Sequence, residues 1–357
     1  MKEILSSRFM PLKKGINVSM KKKILKISIS LFVVMIILIG IFIVQNDFQM
    51  IEKSVDIKTT KGILKGTLIL PKEVSGKMGL VVFIHGDGPA DASYNDQYKP
   101  MWEKLAKQGY ACLSWSKPGV GGSDGNWLLQ SMEDRAIEAN EAIEWVKTLP
   151  EIDDNRIGLW GASQAGWVIP KIVQINKNIA FNILVAPAIN WIEQGRYNTL
   201  KELEKKGTKK EEIDKEEKDF EFELELIKKG LSYEEYVAVG KKDIVTEDRW
   251  TFIKKNYKSD AREDIKHFYS PVKLFLGGRD INVDSYNTKE VYEKKVSQEL
   301  LNVTLIPDTD HFMLKASLVN SKVKAFFTAI FAPRELAHKQ YYNEVEQFLK
   351  EQEKKLR

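Results

Sequence analysis

Short apolar runs alternate with helical patterns along most of this chain. Residues 79–85, 110–115, 156–161, 181–186, 271–277 and 301–306 are six or seven residues long, rich in Val, Ile, Leu and Phe, and bounded by turn-forming residues. Unbroken apolar runs of that length predict strands buried on both faces rather than strands with one wet side. Amphipathic helical patterns separate them, notably around 97–108, 131–148 and 163–176. Such alternation predicts an α/β fold: a mainly parallel sheet covered by helices on both faces. Residues 51–70 read as a β-hairpin leading into Pro71.

One stretch breaks the alternation. Residues 191–260 are long, charged and helical in flavour. Within them Phe220, Leu224, Ile227 and Leu231 fall at helical spacing, yet Phe220-Glu-Phe-Glu-Leu-Glu-Leu also alternates with period two, and both readings stay open. Its charges read as solvated helix faces. Its apolar side chains, among them Trp191, Tyr197 and Trp250, are expected to roof a pocket.

Near the N-terminus, Ile27–Val44 runs eighteen residues without a charge. At 1.5 Å per residue a helix of that length spans about 27 Å, close to the hydrocarbon thickness of a bilayer. Eight basic residues precede it among the first 26 positions, against Glu3 alone, and Asp47 and Glu52 follow it. This predicts a single-pass anchor through residues 27–44, with the N-terminus cytoplasmic and the large domain extracytoplasmic. A cleaved signal peptide followed by secretion is the alternative, although Val44-Gln-Asn-Asp makes a poor cleavage site.

Charge changes meaning once that cluster is set apart. The chain carries +5 over 357 residues, and the cluster holds about +7 of it, so the remainder is close to neutral at about −2. Nothing here argues for a nucleic-acid partner. The composition, 43% hydrophobic and 29% charged, is that of a folded protein. One cysteine, Cys112, rules out an intramolecular disulfide and lies in a strand-like run, as a buried structural thiol would. The histidines are isolated, so no metal site is expected, and no cofactor is implied.

The residues that could carry chemistry collect just past the carboxyl ends of the predicted strands, where open α/β sheets bind ligands. His85-Gly86-Asp87-Gly88-Pro89 follows the first of those strands. Ser163 sits in Gly161-Ala162-Ser163-Gln164-Ala165-Gly166, a strand breaking into small residues around one serine and resuming as a helix. Asp280 ends the turn Gly277-Gly278-Arg279-Asp280, and His311 closes the loop Pro307-Asp308-Thr309-Asp310-His311. A tight strand-to-helix turn lifts a serine hydroxyl clear of the sheet and aims the next N–H at the same point. Asp284 competes with Asp280 for the role of the acid, and the glycine turn favours Asp280. Gly119-Val-Gly121-Gly122-Ser123-Asp124-Gly125 lacks the Lys-Ser/Thr ending of a nucleotide loop.

Serine, acid and histidine in that order resemble the α/β-hydrolase superfamily, and among its branches bacterial serine esterases and dienelactone-hydrolase-like or serine-aminopeptidase-like proteins. The resemblance covers roughly residues 50–357. It implies an α/β-hydrolase core in two parts, 47–190 and 261–357, a helical cap insertion at 191–260, and before them a tail and anchor at 1–46. It also implies a Ser163–His311–Asp280 triad, with oxyanion donors at the backbone N–H groups of Gln164 and Asp87. His85, Gly86 and Gly88 would support the loop that carries Asp87. An acidic side chain there is a departure, because a carboxylate near a developing oxyanion is unfavourable unless it points away. Ala165 stands where the shorter nucleophile motif has glycine. Ser116-Lys117-Pro118 replaces an acid–arginine pair common in relatives.

The implied activity is hydrolysis of a carboxylic ester through an acyl-enzyme, on a small-molecule ester or a short acyl or peptidyl substrate. A serine peptidase or aminopeptidase and an acyltransferase on the same triad are the alternatives. A non-catalytic, membrane-tethered binding protein on a hydrolase scaffold is the reading from another class, and a complete triad in order argues against it.

Overall fold

The apolar N-terminal run forms one continuous helix, α1 (Val18–Asn46). The basic residues expected in a cytoplasmic tail at Lys2, Arg8, Lys13 and Lys14 lie outside the residues that this computed structural model describes, which are 18–74, 76–241 and 245–356. Lys22–Asn46 is long and apolar enough to cross a membrane, with mean hydropathy 3.2, and no protein packs over its most apolar window.

β1 (Ile51–Thr59) and β2 (Gly62–Leu70) then pair as the expected antiparallel hairpin, Ile51 opposite Leu70 and Thr59 opposite Gly62. Next come β3 (Met78–Ile84), α2 (Lys99–Lys107), β4 (Tyr110–Trp115), α3 (Met132–Lys147), β5 (Ile152–Ala162), α4 (Ala165–Ile175) and β6 (Ile179–Val185). Four helices interrupt the sheet: α5 (Trp191–Lys206), α6 (Lys210–Lys228), α7 (Tyr233–Tyr236) and α8 (Glu247–Asn256). It resumes with β7 (Val272–Gly277), α9 (Ser285–Lys295), β8 (Leu301–Ile306), α10 (Ala316–Val319), α11 (Lys322–Phe331) and α12 (Lys339–Leu356). The two-way pattern at Phe220–Leu226 therefore resolves as helix. Leu224 and Leu226 are buried, and Leu226 packs with Tyr236 and Trp250 inside the insertion, while the Glu-rich flanks favour a helix.

One sheet in the order β1-β2-β4-β3-β5-β6-β7-β8 holds all eight strands. β2 runs antiparallel to β4, and every pair from β4 to β8 is parallel. β4 lies on one side of β3 and β5 on the other, so the winding reverses there. Beyond the carboxyl ends of β3 and β5 lies the crevice that such a reversal opens. The sheet buries apolar side chains on both faces. Ala139, Ile143, Val168, Ile172 and Tyr292 of α3, α4 and α9 cover one. Trp102, Leu105, Val345 and Phe348 of α2 and α12 cover the other. Cys112, on β4, is buried, and burial pushes its thiol pKa well up.

α1 is fastened to this body at its carboxyl end. Arg334 donates to the carbonyls of Gln45 and Asp47. Its guanidinium also donates to both carboxylate oxygens of Glu103 on α2, at 2.7 and 3.0 Å. Glu103 is 1% exposed and also accepts from the Gln49 N–H at 2.9 Å. Burial opposes ionisation, but the bonds from Arg334, Gln49 and Lys107 win and hold this carboxyl down at about 2, from an ordinary 4.5. A depressed carboxyl contributes stability that is complete above its unfolded pKa and is lost as pH falls through the folded one. Wild-type protein in detergent should therefore lose resistance to denaturant between pH 4.5 and about 2 faster than Glu103→Gln. Parallel pH profiles for the two would contradict this assignment.

Candidate active site

Ser163 occupies the turn between β5 and α4 with φ +56°. A side chain in that left-handed region costs about 1–3 kcal/mol and persists only where the surroundings impose it. The surroundings here leave no room for bulk. A Cβ on Gly161 would lie 2.6 Å from the Ala165 Cβ, and one on Gly166 would lie 2.7 Å from the Ala188 carbonyl oxygen. The first clash explains why alanine is accepted at position 165: bare Gly161 leaves space for its methyl.

Asp280 and His311 are brought together. The His311 Nδ1 lies 2.7 Å from Asp280 Oδ2, with both side chains buried. A carboxylate only accepts, so Nδ1 carries the proton and Nε2 is left as the base. The other carboxylate oxygen accepts from the N–H groups of Asn282 and Val283 at 2.7 and 2.9 Å. Asp284, the competitor, instead caps α9 through the N–H groups of Tyr286 and Asn287. Asp310 accepts from Phe312 and Leu314 N–H groups as a turn acid, and Asp308 lies 3.7 Å from His338. His267 ends a 3-10 turn away from this cluster. Ser163 and His311 line one cavity without a hydrogen bond between them, a contact that commonly tightens only when substrate binds.

The two expected oxyanion donors share a physical device. A trans peptide unit points its N–H opposite to its C=O, so a carbonyl held from behind aims the donor in front. The Ser163 carbonyl accepts from Gly166 and Ala188 N–H groups at 2.9 and 3.0 Å, which turns the Gln164 N–H the other way. The Gly86 carbonyl accepts from the Lys117 Nζ at 2.6 Å, which turns the Asp87 N–H the other way. Lys117 also donates to the Gly88 carbonyl at 2.8 Å. Gly86 lies against the serine turn: a Cβ there would be 3.4 Å from the Ser163 Cβ.

Behind the loop sits a buried polar network. Arg135 donates to the His85 carbonyl at 2.7 Å and to the Gln164 Oε1. The His85 Nε2 donates to the Trp115 carbonyl at 2.7 Å, and its Nδ1 accepts from the Tyr98 hydroxyl at 3.0 Å. Burial, reinforced by Lys117, pushes the His85 pKa down to about 3, so its ring is a neutral brace. Burial, and then Arg135 beside it, likewise drives the Lys117 ammonium well below its ordinary value.

The Asp87 carboxylate is met from the insertion. Arg249 of α8 donates to both its oxygens at 3.0 and 2.8 Å, and the Gln164 Nε2 donates at 3.0 Å. Burial opposes its ionisation, but Arg249 and Lys117 outweigh that and hold the carboxyl below its ordinary value. The acid at position 87 is thus neutralised rather than left facing an oxyanion. α5 of the same insertion holds the acid loop: Tyr197 donates to the Asp280 carbonyl at 2.9 Å, Asn198 to that of Ile281 at 3.1 Å, and Gln194 to that of Asn282 at 2.9 Å.

The cavity over Ser163 measures about 240 Å³. Its walls come from the segment around α2 (Tyr94, Tyr98, Met101) and from the chain after His311 (Phe312, Leu314, Leu336). Trp191, Tyr197 and Trp250 do not roof it. Trp191 stacks on Trp167 at 5.2 Å, Trp250 stacks on Tyr236 at 4.1 Å within the insertion, and Tyr197 spends its hydroxyl on the acid loop. Among the described residues no cluster of three or more His, Cys, Asp or Glu is placed to hold a metal ion.

An esterase of Pyrococcus furiosus superposes on this chain with a TM-score of 0.56 at 18% identity, over 85% of this chain and 92% of its own. The fold is that of an α/β hydrolase. An acylaminoacyl peptidase of Pyrococcus horikoshii shares it with a TM-score of 0.53 at 15% identity, over 86% of this chain and 42% of its own. A family model described as X-Pro dipeptidyl-peptidase (S15 family) matches residues 63–217. A polyketide transferase, grgF, of Penicillium sp is 31% identical over 103 residues, 29% of this chain. The match spans 34% of that protein's own length.

Three residues of this site are not expected from sequence: Arg135, Lys117 as a clamp, and Arg249. Arg135 has a readable signal, since it falls on the same helical stripe as buried Ala139, Ala142 and Val146. Arg249 has none, because an exposed-helix arginine looks the same whatever it meets. If the site hydrolyses an ester as the resemblance implies, Arg249→Ala should lower kcat roughly tenfold, about 1.4 kcal/mol of barrier, by leaving the Asp87 charge unmatched beside the Gln164 and Asp87 N–H groups. Adding Asp87→Asn should restore most of it in an ester-hydrolysis assay, and a single variant with undiminished kcat would sink the argument.

Proposed function

We propose that this chain is a membrane-anchored serine hydrolase that cleaves a carboxylic ester through an acyl-enzyme. One observation carries the reading: Ser163, held at a left-handed φ, lines the same cavity as a His311 whose Nδ1–H donates to buried Asp280. The His311 Nε2 accepts the Ser163 proton as Oγ attacks the ester carbonyl carbon. The oxyanion is met by the N–H groups of Gln164 and Asp87, each of the kind that costs roughly 3–4 kcal/mol when removed. Collapse expels the alcohol, protonated by His311, and leaves an acyl group on Ser163. Water, deprotonated by the same imidazole, then releases the carboxylic acid.

The apolar walls around Tyr98, Met101 and Leu336 suit an apolar acyl group. The anchor would be α1, with Lys22, Lys23 and Lys26 before its apolar stretch and the catalytic domain outside. α5–α8 would form the cap insertion. Two further readings each have one observation behind them. The match to the S15 peptidase model favours an amide substrate, and the polyketide transferase relative favours an acceptor other than water.

A fluorophosphonate probe should label the full chain in detergent, and Ser163→Ala should abolish labelling while lowering kcat on the order of 10⁴–10⁶-fold. Folded wild-type protein that stays unlabelled would refute the triad. Acyl esters, aminoacyl amides and added alcohol acceptors, compared by initial rates, separate esterase from peptidase and transferase.

A further inference from the structure

A surface helix normally turns its apolar stripe inward. α11 does not. Val323, Phe326 and Phe327 fall at i, i+3 and i+4 and are 67%, 60% and 54% exposed. No residue of this ten-residue helix is buried, and it contains no acid. Lys322 and Lys324 fall about 100° to either side of the stripe, as the 100° step of a helix places them. From there a lysine can lay its stem along an apolar boundary and keep its ammonium in water.

What α11 packs against is telling. It lies against α1, and the Asn46 Nδ2 at the end of α1 donates to the Ile330 carbonyl at 2.9 Å. Arg334, just beyond α11, holds the last carbonyls of α1 and the buried Glu103. The bare aromatic stripe is therefore fixed beside the end of the one helix, among the described residues, long and apolar enough to cross a bilayer. The same segment builds the cavity: Phe312 and Leu314 precede α11, Pro333 and Leu336 follow it, and all four line the space over Ser163. Phe312 itself is 49% exposed.

We propose that α11 lies in the headgroup–acyl boundary of the bilayer that holds α1, seating the cavity wall formed by Phe312, Leu314, Pro333 and Leu336 against the membrane. The inference rests on the anchor reading of α1. An aromatic face flanked by lysines is the chemistry of helices that lie in the plane of an interface, and its continuity with the apolar helix sets the bilayer apart from a protein occupant. The substrate class follows: an ester whose acyl chain is dissolved in the membrane, which reaches Ser163 without passing through water.

The test uses the full chain carrying Phe327→Cys, which can be labelled selectively because native Cys112 is buried. The cysteine takes an environment-sensitive fluorophore, and the protein is reconstituted into vesicles of phosphatidylcholine and phosphatidylglycerol containing nitroxide-labelled acyl chains. Strong quenching is expected at this site and none at a Tyr286→Cys control on α9, where the side chain is 66% exposed. Quenching no greater than the control's overturns the proposal. A fluorophore shielded from both the lipid nitroxide and aqueous iodide would mean that a second copy or another protein covers α11, and overturns it too. Alkaline carbonate extraction reports on the anchor separately. Release of the chain overturns the anchor and this proposal together, whereas retention without quenching overturns the docking alone. In an activity arm, Phe326→Ser with Phe327→Ser should cut hydrolysis of a bilayer-dissolved long-chain ester about tenfold and leave a water-soluble short-chain ester unaffected. Equal loss on both, or on neither, counts against it. If wild type cleaves neither ester, the hydrolase reading fails and the quenching result still decides the docking.

Discussion

Planarity of the trans peptide unit governs this site more than any side chain does. Because C=O and N–H point opposite ways, the chain can aim a donor at the cavity only by occupying the carbonyl behind it. At Gln164 the occupants are two backbone N–H groups, from Gly166 and Ala188, and they exist because α4 starts immediately and the loop after β6 passes underneath. That close passage is why Gly166 has no side chain: a Cβ there would meet Pro187 and Ala188. At Asp87 the occupant is the Nζ of Lys117, and it needs a buried lysine. The strained Ser163, the bare glycines and the buried lysine are consequences of one geometric requirement.

Burying basic side chains beside the loop that carries Asp87 has a cost that must be met locally, since an isolated buried charge is strongly disfavoured. Lys117 and Arg135 lie within one network, and three carbonyls (those of His85, Gly86 and Gly88) receive their protons. Asp87 acts on both as a negative charge and is in turn matched by Arg249. The acid that looks misplaced beside an oxyanion is thus a counter-charge to the clamp, and its own charge is drawn away by an arginine from the insertion. His85 stays neutral within this positive surrounding, which suits a ring that donates to one carbonyl and accepts from one hydroxyl. Charge is balanced across the loop, not at any single pair.

How much of this was legible beforehand follows from how local each feature is. The strands, the hairpin and the positions of Ser163, Asp280 and His311 rest on runs and turns of a few residues, and the structure places them where those runs predict. Asp280 was separable from Asp284 because a glycine turn and a helix cap have different local grammars. The roofing expectation for Trp191, Tyr197 and Trp250 failed for the opposite reason. An aromatic in a charged insertion must bury itself, but sequence does not say against what, and two of them found other aromatic rings while the third found a carbonyl. Arg249 was invisible on the same ground: its partner lies 162 positions away.

The insertion therefore works as a brace. α5 holds three consecutive carbonyls of the loop that carries Asp280 and α8 holds the Asp87 carboxylate, so one four-helix unit sets the spacing between the two sides of the site. This leaves the cavity walls to be made by other parts of the chain, namely α2 with the loop before it and the segment that includes α11. The division has a physical logic. Side chains that preorganise a charge-stabilising site must be rigid and hydrogen-bonded, whereas those that admit an apolar chain must be apolar and reachable. A chain that assigns these demands to different segments can tune either without loosening the other.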